Sequence, residues 1–429
     1  MGRAGIDEKN RTYICIDLKS FYASVECVER GLDPFKVDLV VADPDRSKST
    51  ICLAITPAMK KKGVKNRCRI HEIPAGMEYI TAVPRMQLYI DYSAKIYGIY
   101  LKYVAPEDIH VYSIDECFID VTPYLHFYQM SAKEMAIMLM DAVMKETGIT
   151  ATAGVGTNLY LAKVAMDIVA KHVDDHIGIL DEQSYKEKLW SHKPLSDFWQ
   201  IGSRTQRKLN GYGIHTMEDI ARMSLVQESW LYKLFGIDAE LLIDHAWGCE
   251  SCLMEDIKGY RSKEHSLSNG QVLMRNYSFE EAKVVVKEMT DVLALEMAEK
   301  GLVTDSVGLY VSYDHKCGFP STGCTISFET STNSCNRIIH YVEKAYEEHT
   351  NPFLGIRRIH VFANKVRQEG YYQYDLFSDP VKQKKEKDLQ NCMIDIHKRY
   401  GKNAVMRGSN LLSCSTYRMR NEQIGGHRK

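Results

Sequence analysis

The fold is decided by residues 111–121, which read Val-Tyr-Ser-Ile-Asp-Glu-Cys-Phe-Ile-Asp-Val. β-Branched and aromatic residues flank the adjacent acids Asp115 and Glu116, and this pattern predicts two strands joined by a tight turn that carries both acids. A third acid, Asp17, ends another strand-like run at residues 13–16. Acids at a turn are usually solvated, because turns favour Asp and lie in water. Three carboxylates at strand ends can also hold two divalent cations about 3.5 to 4 Å apart, an arrangement that serves phosphoryl transfer.

The composition is that of a globular protein, with 45% hydrophobic and 26% charged residues. A chain of 429 residues has room for about three or four domains. No apolar run is long enough to span a bilayer, and the N-terminus lacks the apolar core of a signal peptide, so we expect a cytoplasmic protein without a membrane partner. Twelve cysteines are scattered along the chain. Cys249 and Cys252 form a C-x-x-C without a matching second pair, which favours ordinary thiols over a zinc site.

Charge is unevenly distributed, although the formal net charge is only −1. From Val381 to Lys429 there are twelve Lys or Arg residues and four acids, a local excess of +8 that leaves −9 on the rest of the chain. Binding to phosphates requires a basic surface rather than a basic whole. The near-neutral total is therefore compatible with a nucleic-acid partner.

The strand and helix patterns of the first part of the chain predict an α+β domain. In chain order they give a strand to residue 18, a helix at 21–30, the acid-bearing hairpin, a helix at 131–144, a strand at 148–154 and a helix at 158–171. This order suits a domain with an antiparallel sheet. Strands that alternate with two long helices between residues 263 and 367 predict a second α+β module.

Residues 200–214 predict two short helices around a glycine turn. The segment resembles a helix-hairpin-helix, in which loop amides and a helix N-terminus bind a phosphate without reading sequence. Its candidate DNA contacts are Ile201, Gly202, Ser203 and Arg204. A generic helical turn is the alternative interpretation.

The segments that carry the three acids closely resemble the catalytic motifs of the Y-family DNA polymerases. They are residues 17–26, Asp-Leu-Lys-Ser-Phe-Tyr-Ala-Ser-Val-Glu, and residues 113–116, Ser-Ile-Asp-Glu. The resemblance covers roughly residues 12–363. Within the family, the chain is similar to the UmuC-like branch from Gram-positive bacteria. It implies an α+β multidomain right-hand polymerase with a ferredoxin-like palm, small fingers, a helical thumb with a helix-hairpin-helix, and an α+β little-finger domain.

The same resemblance implies the domain boundaries. They are 12–20 and 85–170 for the palm, 21–84 for the fingers, 171–249 for the thumb, 250–262 for a linker, 263–367 for the little finger, and 368–429 for a basic C-terminal tail.

The resemblance also implies the ligands of the metal site. Asp17, Asp115 and Glu116 are the expected catalytic carboxylates, and together with the Leu18 carbonyl they are expected to bind two Mg²⁺ ions, for which Mn²⁺ can substitute. Mg²⁺ suits an all-oxygen site that shares its ions with substrate phosphates.

Contacts with the incoming nucleotide follow by the same carry-over. Tyr22 falls at the family's steric gate, the ring that blocks a ribose 2′-hydroxyl, and Phe21 precedes it. Lys60 and Lys163 match cations that bind the triphosphate. Considered alone, the basic run that begins at Lys60 would be a solvated helix end. Pro57 departs from the family pattern, which often has a Tyr three residues before the fingers cation.

A segment after the last strand of the second module is similar to the peptide that binds the bacterial sliding clamp (β). The residues that carry this likeness are Gln373, Asp375, Leu376 and Phe377, whereas Tyr374 replaces the usual Leu. A random aromatic linker is the alternative. The position beyond a folded module, where such peptides occur in the family, favours clamp binding.

Taken together, the resemblance implies a template-dependent DNA polymerase for translesion synthesis in DNA repair and the SOS response. It is expected to transfer nucleotides from dNTPs to a primer 3′-hydroxyl on primer-template DNA, with low fidelity, a mutator character and no proofreading. An accessory SOS protein is a further partner that the family suggests. Two alternatives stay open: a nucleotidyl cyclase built on a similar palm, and a non-catalytic clamp-binding or DNA-binding scaffold.

Overall fold

The computed structural model describes residues 11–45, 50–262, 266–370 and 379–429. The chain divides into two compact units, one that ends at Tyr260 and one that begins at Arg261. In the described ranges, no helix combines the length and the apolar character that crossing a membrane would require.

The first unit contains two sheets and a set of helices. Its described strands are β1 (Tyr13–Leu18), β2 (Leu39–Val41), β3 (Ala54–Ile55), β4 (Ile80–Ala82), β5 (Ile109–Val111), β6 (Glu116–Asp120), β7 (Ala151–Gly156) and β8 (Ile177–Leu180). Its described helices are α1 (Phe21–Glu29), α2 (Pro57–Lys61), α3 (Met86–Tyr100), α4 (Thr122–Tyr128), α5 (Ala132–Thr147), α6 (Leu159–Val164), α7 (Glu182–Leu189), α8 (Ser203–Asn210), α9 (Met217–Phe235), α10 (Asp238–Trp247) and α11 (Met254–Gly259).

The larger sheet of this unit has the order β5-β6-β1-β7-β8. Strand β1 lies at its centre and pairs antiparallel with both β6 and β7. Gly154 and Gly156 of β7 allow α6 to pack directly on the strand, because a Cβ on either glycine would lie 2.1 Å from backbone atoms of Ala162. The central strand therefore has its carboxyl end fixed by neighbours on both sides.

Two further groups of elements surround this sheet. Strands β3, β2 and β4 form a small sheet in that order, and its core includes Val40, Ile55 and Met59. Helices α7 to α10 share an apolar core with residues of α6 and β8, and the buried Tyr185 and Leu209 contribute to it. The predicted linker at 250–262 contains α11, whose buried Met254 packs with residues of β1, including Tyr13.

The second unit is the predicted α+β module with an added C-terminal part. Its described elements are β9 (Leu267–Tyr277), α12 (Phe279–Glu299), β10 (Leu302–Tyr313), β11 (Thr322–Thr332), α13 (Cys335–His349), β12 (Ile356–Asn364), β13 (Arg367–Gln368), α14 (Pro380–Tyr400), α15 (Tyr417–Asn421), β14 (Gln423–Ile424) and β15 (His427–Arg428). The main sheet has the order β11-β10-β12-β9 and is antiparallel.

The described C-terminal residues fold onto the second unit, in contrast to the basic tail expected from their charge. The buried carboxylate of Glu288 in α12 accepts hydrogen bonds from the Ser415 hydroxyl at 2.6 Å and the Thr416 amide at 3.0 Å. Arg407 forms an ion pair with the buried Asp291 at 2.7 Å. Acids on α12 therefore satisfy polar groups of this segment. The other predicted domain boundaries remain predictions.

Candidate active site

The three predicted carboxylates meet at the carboxyl end of β1. Asp17 lies directly opposite Glu116 in the β1–β6 pairing. The amide of Leu18 donates to the carbonyl oxygen of Asp115 at 2.9 Å, which ties the hairpin turn to the end of β1. The Ser113 hydroxyl donates to Asp115 Oδ1 at 2.7 Å. Residues that are about 100 positions apart in the sequence are thus neighbours.

Like charges crowd this end of the sheet. Burial, followed by the charges of Asp115 and Glu116, raises the pKa of Asp17 to about 7. Burial also raises the pKa of Glu116, against the opposing effect of the Lys163 ammonium. A carboxylate with a pKa near neutrality is costly to ionise, because burial and the neighbouring negative charges both disfavour its ionised form. A cation bound here would relieve that cost.

Lys163, a predicted triphosphate contact, lies against Glu116 and Asp167. Its Nζ is 2.9 Å from Glu116 Oε1 and 2.9 Å from Asp167 Oδ2. Burial would lower the pKa of Lys163, but Asp167, Cys15 and Glu116 raise it above its ordinary range. Asp167 and Cys15, whose thiol donates to Glu116 Oε1 at 3.3 Å, were not predicted as site residues. The spacing of four residues between Lys163 and Asp167 was a usable signal for the first of them.

The donor set at this end of β1 fits a hard divalent cation. Asp17, Asp115, Glu116 and the Leu18 backbone offer oxygen atoms, which are the ligands that Mg²⁺ prefers. As they stand, no three His, Cys, Asp or Glu side chains among the described residues converge on one metal position. The carboxylate of Glu116 instead forms an ion pair with Lys163. The burial of Asp17 beside the charges of Asp115 and Glu116, which raises the pKa of Asp17, supports a cation here.

Tyr22 lies at the start of α1, five residues beyond Asp17. Its ring stacks on the ring of Tyr89, with centroids 4.6 Å apart and an angle of 20° between the planes. Phe21 is buried, and its ring is tilted against Tyr22 at 5.8 Å. Burial, followed by the charge of Asp115, raises the pKa of Tyr22. Tyr89 was not predicted as part of this site.

Lys60 belongs to α2, which begins at Pro57. Proline is favoured at the first position of a helix, because its missing N–H has no intrahelical partner there. Partial burial lowers the pKa of Lys60, and the charge of Asp17 opposes that shift. The ammonium of Lys60 is thus within electrostatic reach of the carboxylates, as a triphosphate contact would require.

The segment of the predicted helix-hairpin-helix contains α8. A turn of 3₁₀-helix at Leu195–Asp197 leads through Gln200, which has a φ of 68°, to α8. Ile201 is buried, and Gly202 caps the N-terminus of α8, which Ser203 and Arg204 open. A turn that contains Gly211 and Gly213 follows α8 and leads to α9. Binding of phosphate by residues 201–204 stays a prediction.

The predicted clamp-binding residues lie outside the described residues of the structure. These are Gln373, Asp375, Leu376 and Phe377. Their role therefore stays a prediction from the sequence.

Comparisons with known proteins identify the family of the chain. Residues 16–167 match the impB/mucB/samB family, and residues 264–376 match the C-terminal domain of that family. The putative UV-damage repair protein UvrX of Bacillus subtilis is 31% identical, over 97% of this chain and 98% of the relative. DNA polymerase IV 2 of the same species is 28% identical, over 98% of this chain and 100% of the relative.

A solved structure of a Y-family DNA polymerase chimera resembles the fold. Its TM-score is 0.63 at 21% identity, and the match covers 83% of this chain and 99% of the solved one. The architecture is thus that of a multidomain α+β polymerase, as predicted. With the full-length similarity to UvrX, the chain belongs to the impB/mucB/samB family of Y-family translesion polymerases.

Proposed function

We propose that this chain is a template-dependent DNA polymerase of the translesion type. It extends a primer 3′-hydroxyl with dNTPs on primer-template DNA, with low fidelity and without proofreading, in the cytoplasm of a bacterium under SOS conditions. The observation that carries this proposal is the crowding of Asp17, Asp115 and Glu116 at one end of β1. The relatives that match along the chain support the same activity.

The proposed metal ligands are Asp17, Asp115 and Glu116, together with the carbonyl of Leu18. They would hold two Mg²⁺ ions, or Mn²⁺ in their place. When bound, such ions lower the pKa of the attacking hydroxyl and neutralise the pyrophosphate that leaves. The raised pKa of Asp17 supports this assignment, because a buried carboxylate beside two other acids resists ionisation and a cation would favour the ionised form.

Other residues of the chain bind and orient the nucleotide. Lys163, which pairs with Glu116, and Lys60, whose pKa is influenced by the charge of Asp17, would contribute positive charge to a bound triphosphate. Phe21 and Tyr22 would contact the sugar, and the Tyr22 ring would exclude a 2′-hydroxyl. Such positioning accounts for much of the rate of phosphoryl transfer, since the protein supplies little covalent chemistry.

Two alternatives are not favoured. A nucleotidyl cyclase would share the metal-binding carboxylates of the palm, and a non-catalytic scaffold would share the fold. The match to DNA polymerase IV 2 runs through both units of this chain, whereas a cyclase would need only the first. A scaffold would have no use for three acids held against one another.

The activity is tested by primer extension with Mg²⁺ on undamaged and abasic templates. Asp115→Ala and Glu116→Ala should each lower extension below a few percent of the wild-type rate, because either change removes charge from the metal ligands. Both variants should bind primer-template DNA as the wild type does. Asp141→Ala, which alters an exposed acid of α5, is the matched control. Robust extension by either site variant would contradict the metal assignment.

The sugar gate is tested by comparing kcat/KM for dNTPs and rNTPs. Tyr22→Ala should accept rNTPs while it retains dNTP incorporation, because the ring that meets the 2′-hydroxyl is gone. Tyr22→Phe keeps that ring and is the control. An unchanged ratio in Tyr22→Ala would place the gate elsewhere.

Phosphate contacts in the thumb are proposed for Ile201, Gly202, Ser203 and Arg204. The N-terminus of α8 directs backbone amides outward, and Arg204 is exposed beside them. Arg204→Ala should weaken DNA binding by a similar factor on every template sequence, which a salt titration of binding would detect.

Binding to the sliding clamp is proposed for Gln373, Asp375, Leu376 and Phe377. Leu376→Ala combined with Phe377→Ala should spare extension of short primers but remove stimulation by the clamp. Tyr371→Ala combined with Tyr372→Ala is a control in the same segment. Unaltered stimulation in the first double variant would show that the contact is made elsewhere. An accessory SOS protein is a separate proposal, to be tested by adding the purified candidate to the same assay.

A further inference from the structure

The ring of Tyr22 rests on a second tyrosine that is itself held in place. Tyr89 of α3 is fully buried, and its ring is stacked 4.6 Å from that of Tyr22. The Tyr89 hydroxyl donates a hydrogen bond to Glu26 Oε1 at 2.8 Å. One face of the Tyr22 ring is therefore backed by a side chain with a fixed position.

Glu26 is the centre of this arrangement. The residue is fully buried in α1, and its carboxylate accepts hydrogen bonds from Arg85 Nε at 2.9 Å and Arg85 Nη2 at 2.8 Å. Arg30 forms an ion pair with the same carboxylate and also donates to the Glu26 backbone carbonyl at 2.8 Å. Paired donors from an arginine fix the plane of a carboxylate as well as its position.

The charge on Glu26 is retained in the folded protein. Burial alone would raise the pKa of Glu26, but hydrogen bonds from Arg85, Arg30 and Tyr89 lower it below its usual range. An ionised carboxylate holds the Tyr89 hydroxyl more strongly than a neutral group would. The support behind the Tyr22 ring is thus stiff at neutral pH.

The residues of this network are spaced so that two contacts join α1 to α3. Tyr22 and Glu26 lie four residues apart on α1, whereas Arg85 at the N-cap of α3 and Tyr89 lie four residues apart on the other helix. Residues at this spacing share one face of a helix. The stacked rings form one link between the two helices and the Glu26–Arg85 pair forms the other.

We propose that Tyr89 and Glu26 are positioning residues that set the sugar specificity of this polymerase, by preventing the Tyr22 ring from yielding to a ribose 2′-hydroxyl. The proposal rests on the role of Tyr22 as the sugar gate. Exclusion of a single hydroxyl by contact works only if the excluding ring cannot retreat by a fraction of an ångström. A ring that is backed by a fully buried, hydrogen-bonded tyrosine meets that condition.

The variant Tyr89→Phe tests the proposal without removing the ring. It deletes the hydroxyl that Glu26 holds, and the loss of one hydrogen bond to a charged group should lower the dNTP-over-rNTP ratio of kcat/KM by about 5-fold. The change should arise from better use of rNTPs, with kcat/KM for dNTPs within about twofold of wild type. Tyr89→Leu also removes the stacked surface, and it should lower the ratio further.

Tyr92→Phe is the matched control for Tyr89→Phe. Tyr92 lies one turn along α3, and its hydroxyl donates to Glu29 Oε1 at 2.7 Å in a solvent-exposed tyrosine–carboxylate hydrogen bond to α1. No ring contact joins Tyr92 to Tyr22 among the described aromatic pairs. Its removal should weaken the attachment of α3 to α1 without altering sugar choice.

The outcomes separate this proposal from the gate itself. A lowered ratio in both Tyr89 variants, with an unchanged ratio in Tyr92→Phe, supports it. Wild-type ratios in the Tyr89 variants, alongside a collapsed ratio in Tyr22→Ala, overturn the positioning role and leave the gate intact. Equal losses in Tyr89→Phe and Tyr92→Phe, or a parallel fall in kcat/KM for both sugars, also overturn it, because they indicate general loosening of the helices. Unchanged ratios in Tyr22→Ala and in the Tyr89 variants remove the gate and the proposal together.

Discussion

Two carboxylates that lie nine residues apart in the sequence, Asp17 and Glu26, belong to clusters in which their pKa values shift in opposite directions. At the end of β1, burial and the neighbouring acids Asp115 and Glu116 raise the pKa of Asp17 to about 7. In α1, the hydrogen bonds of Arg85, Arg30 and Tyr89 lower the pKa of Glu26 although it is fully buried. In the first cluster the Lys163 ammonium pairs with Glu116 and Asp167, and the pKa of Asp17 stays raised, whereas in the second cluster two arginines pair directly with Glu26.

The difference suggests that the Asp17 cluster binds a ligand and that the Glu26 cluster holds other side chains in position. A protein that keeps repelling acids together tolerates a cost in stability, which is usual where a ligand later supplies the missing charge. A buried carboxylate with its cations in place has no charge left to offer, and it fixes the positions of the groups around it. The two clusters should therefore respond in opposite ways to the same change, from carboxylate to amide.

The largest difference is expected in activity. Asp17→Asn should lower the rate of primer extension on the order of 10³-fold, because the metal ligands lose charge where the transition state needs it. Glu26→Gln should stay within about 10-fold of the wild-type rate, because Glu26 acts on sugar choice through Tyr89 and not on the reacting atoms. Single-turnover extension with dATP or dTTP at saturating DNA measures both.

Circular dichroism should show that both amide variants are folded, so that the rates compare chemistry. Similar losses of activity in Asp17→Asn and Glu26→Gln would remove the distinction between the two clusters. A rate close to wild type in Asp17→Asn would mean that Asp115 and Glu116 suffice without it.

The second difference is expected in stability, where Glu26→Gln should be the damaging change. It leaves Arg85 and Arg30 facing an uncharged group, and the free energy of unfolding should fall by about 1–3 kcal/mol. The value lies below that for a fully enclosed ion pair, because both arginines are partly exposed to solvent. Urea unfolding at pH 7 measures it, with Tyr92→Phe as the control. A loss below that of Tyr92→Phe would contradict the structural importance of the ion pairs.

The sequence was sufficient for the residues that local motifs define. Asp17, Asp115 and Glu116 stand in short motifs at strand ends, and the strand patterns around them predict the sheet that brings them together. Tyr22 has a fixed offset of five residues from Asp17. The resemblance of these motifs to those of the Y-family polymerases implies all four positions, and the structure pairs Asp17 with Glu116 at the end of β1.

The supporting contacts were beyond the sequence because they join distant elements. Tyr89 is 67 residues from Tyr22 and 63 from Glu26, and nothing in its neighbourhood distinguishes it from other tyrosines of α3. The resemblance implies a basic tail for the C-terminal residues, but the acids of α12 that contact them, Glu288 and Asp291, lie more than 100 residues earlier. Contacts between residues so far apart produce no periodic pattern in the amino-acid sequence, so the sequence alone does not predict them.

A smaller effect of opposite sign is expected for Asp17→Asn in stability. Without divalent cations, the amide removes a charge that its neighbours repel, and the free energy of unfolding at pH 8 should rise by about 1–2 kcal/mol. That estimate is below the full value of the pKa shift, because solvent screens part of the repulsion. Urea unfolding in EDTA measures the gain. Addition of Mg²⁺ should then stabilise the wild type more than the variant, and the reverse order would contradict cation binding at Asp17.

The smallest effect concerns the pH dependence of the Glu26 cluster. Because folding lowers the pKa of Glu26, its contribution to stability is fully present above the unfolded pKa and is lost as the pH falls through the folded pKa. The stability difference between wild type and Glu26→Gln should therefore be constant from pH 7 to about pH 5.5, and shrink by about 1 kcal/mol or more below about pH 4. Urea unfolding of both proteins at several pH values measures this difference, and Tyr92→Phe provides the baseline for general acid effects. A difference that grew on acidification would mean that Glu26 is protonated in the folded protein, and the contrast with the Asp17 cluster would then have no electrostatic basis.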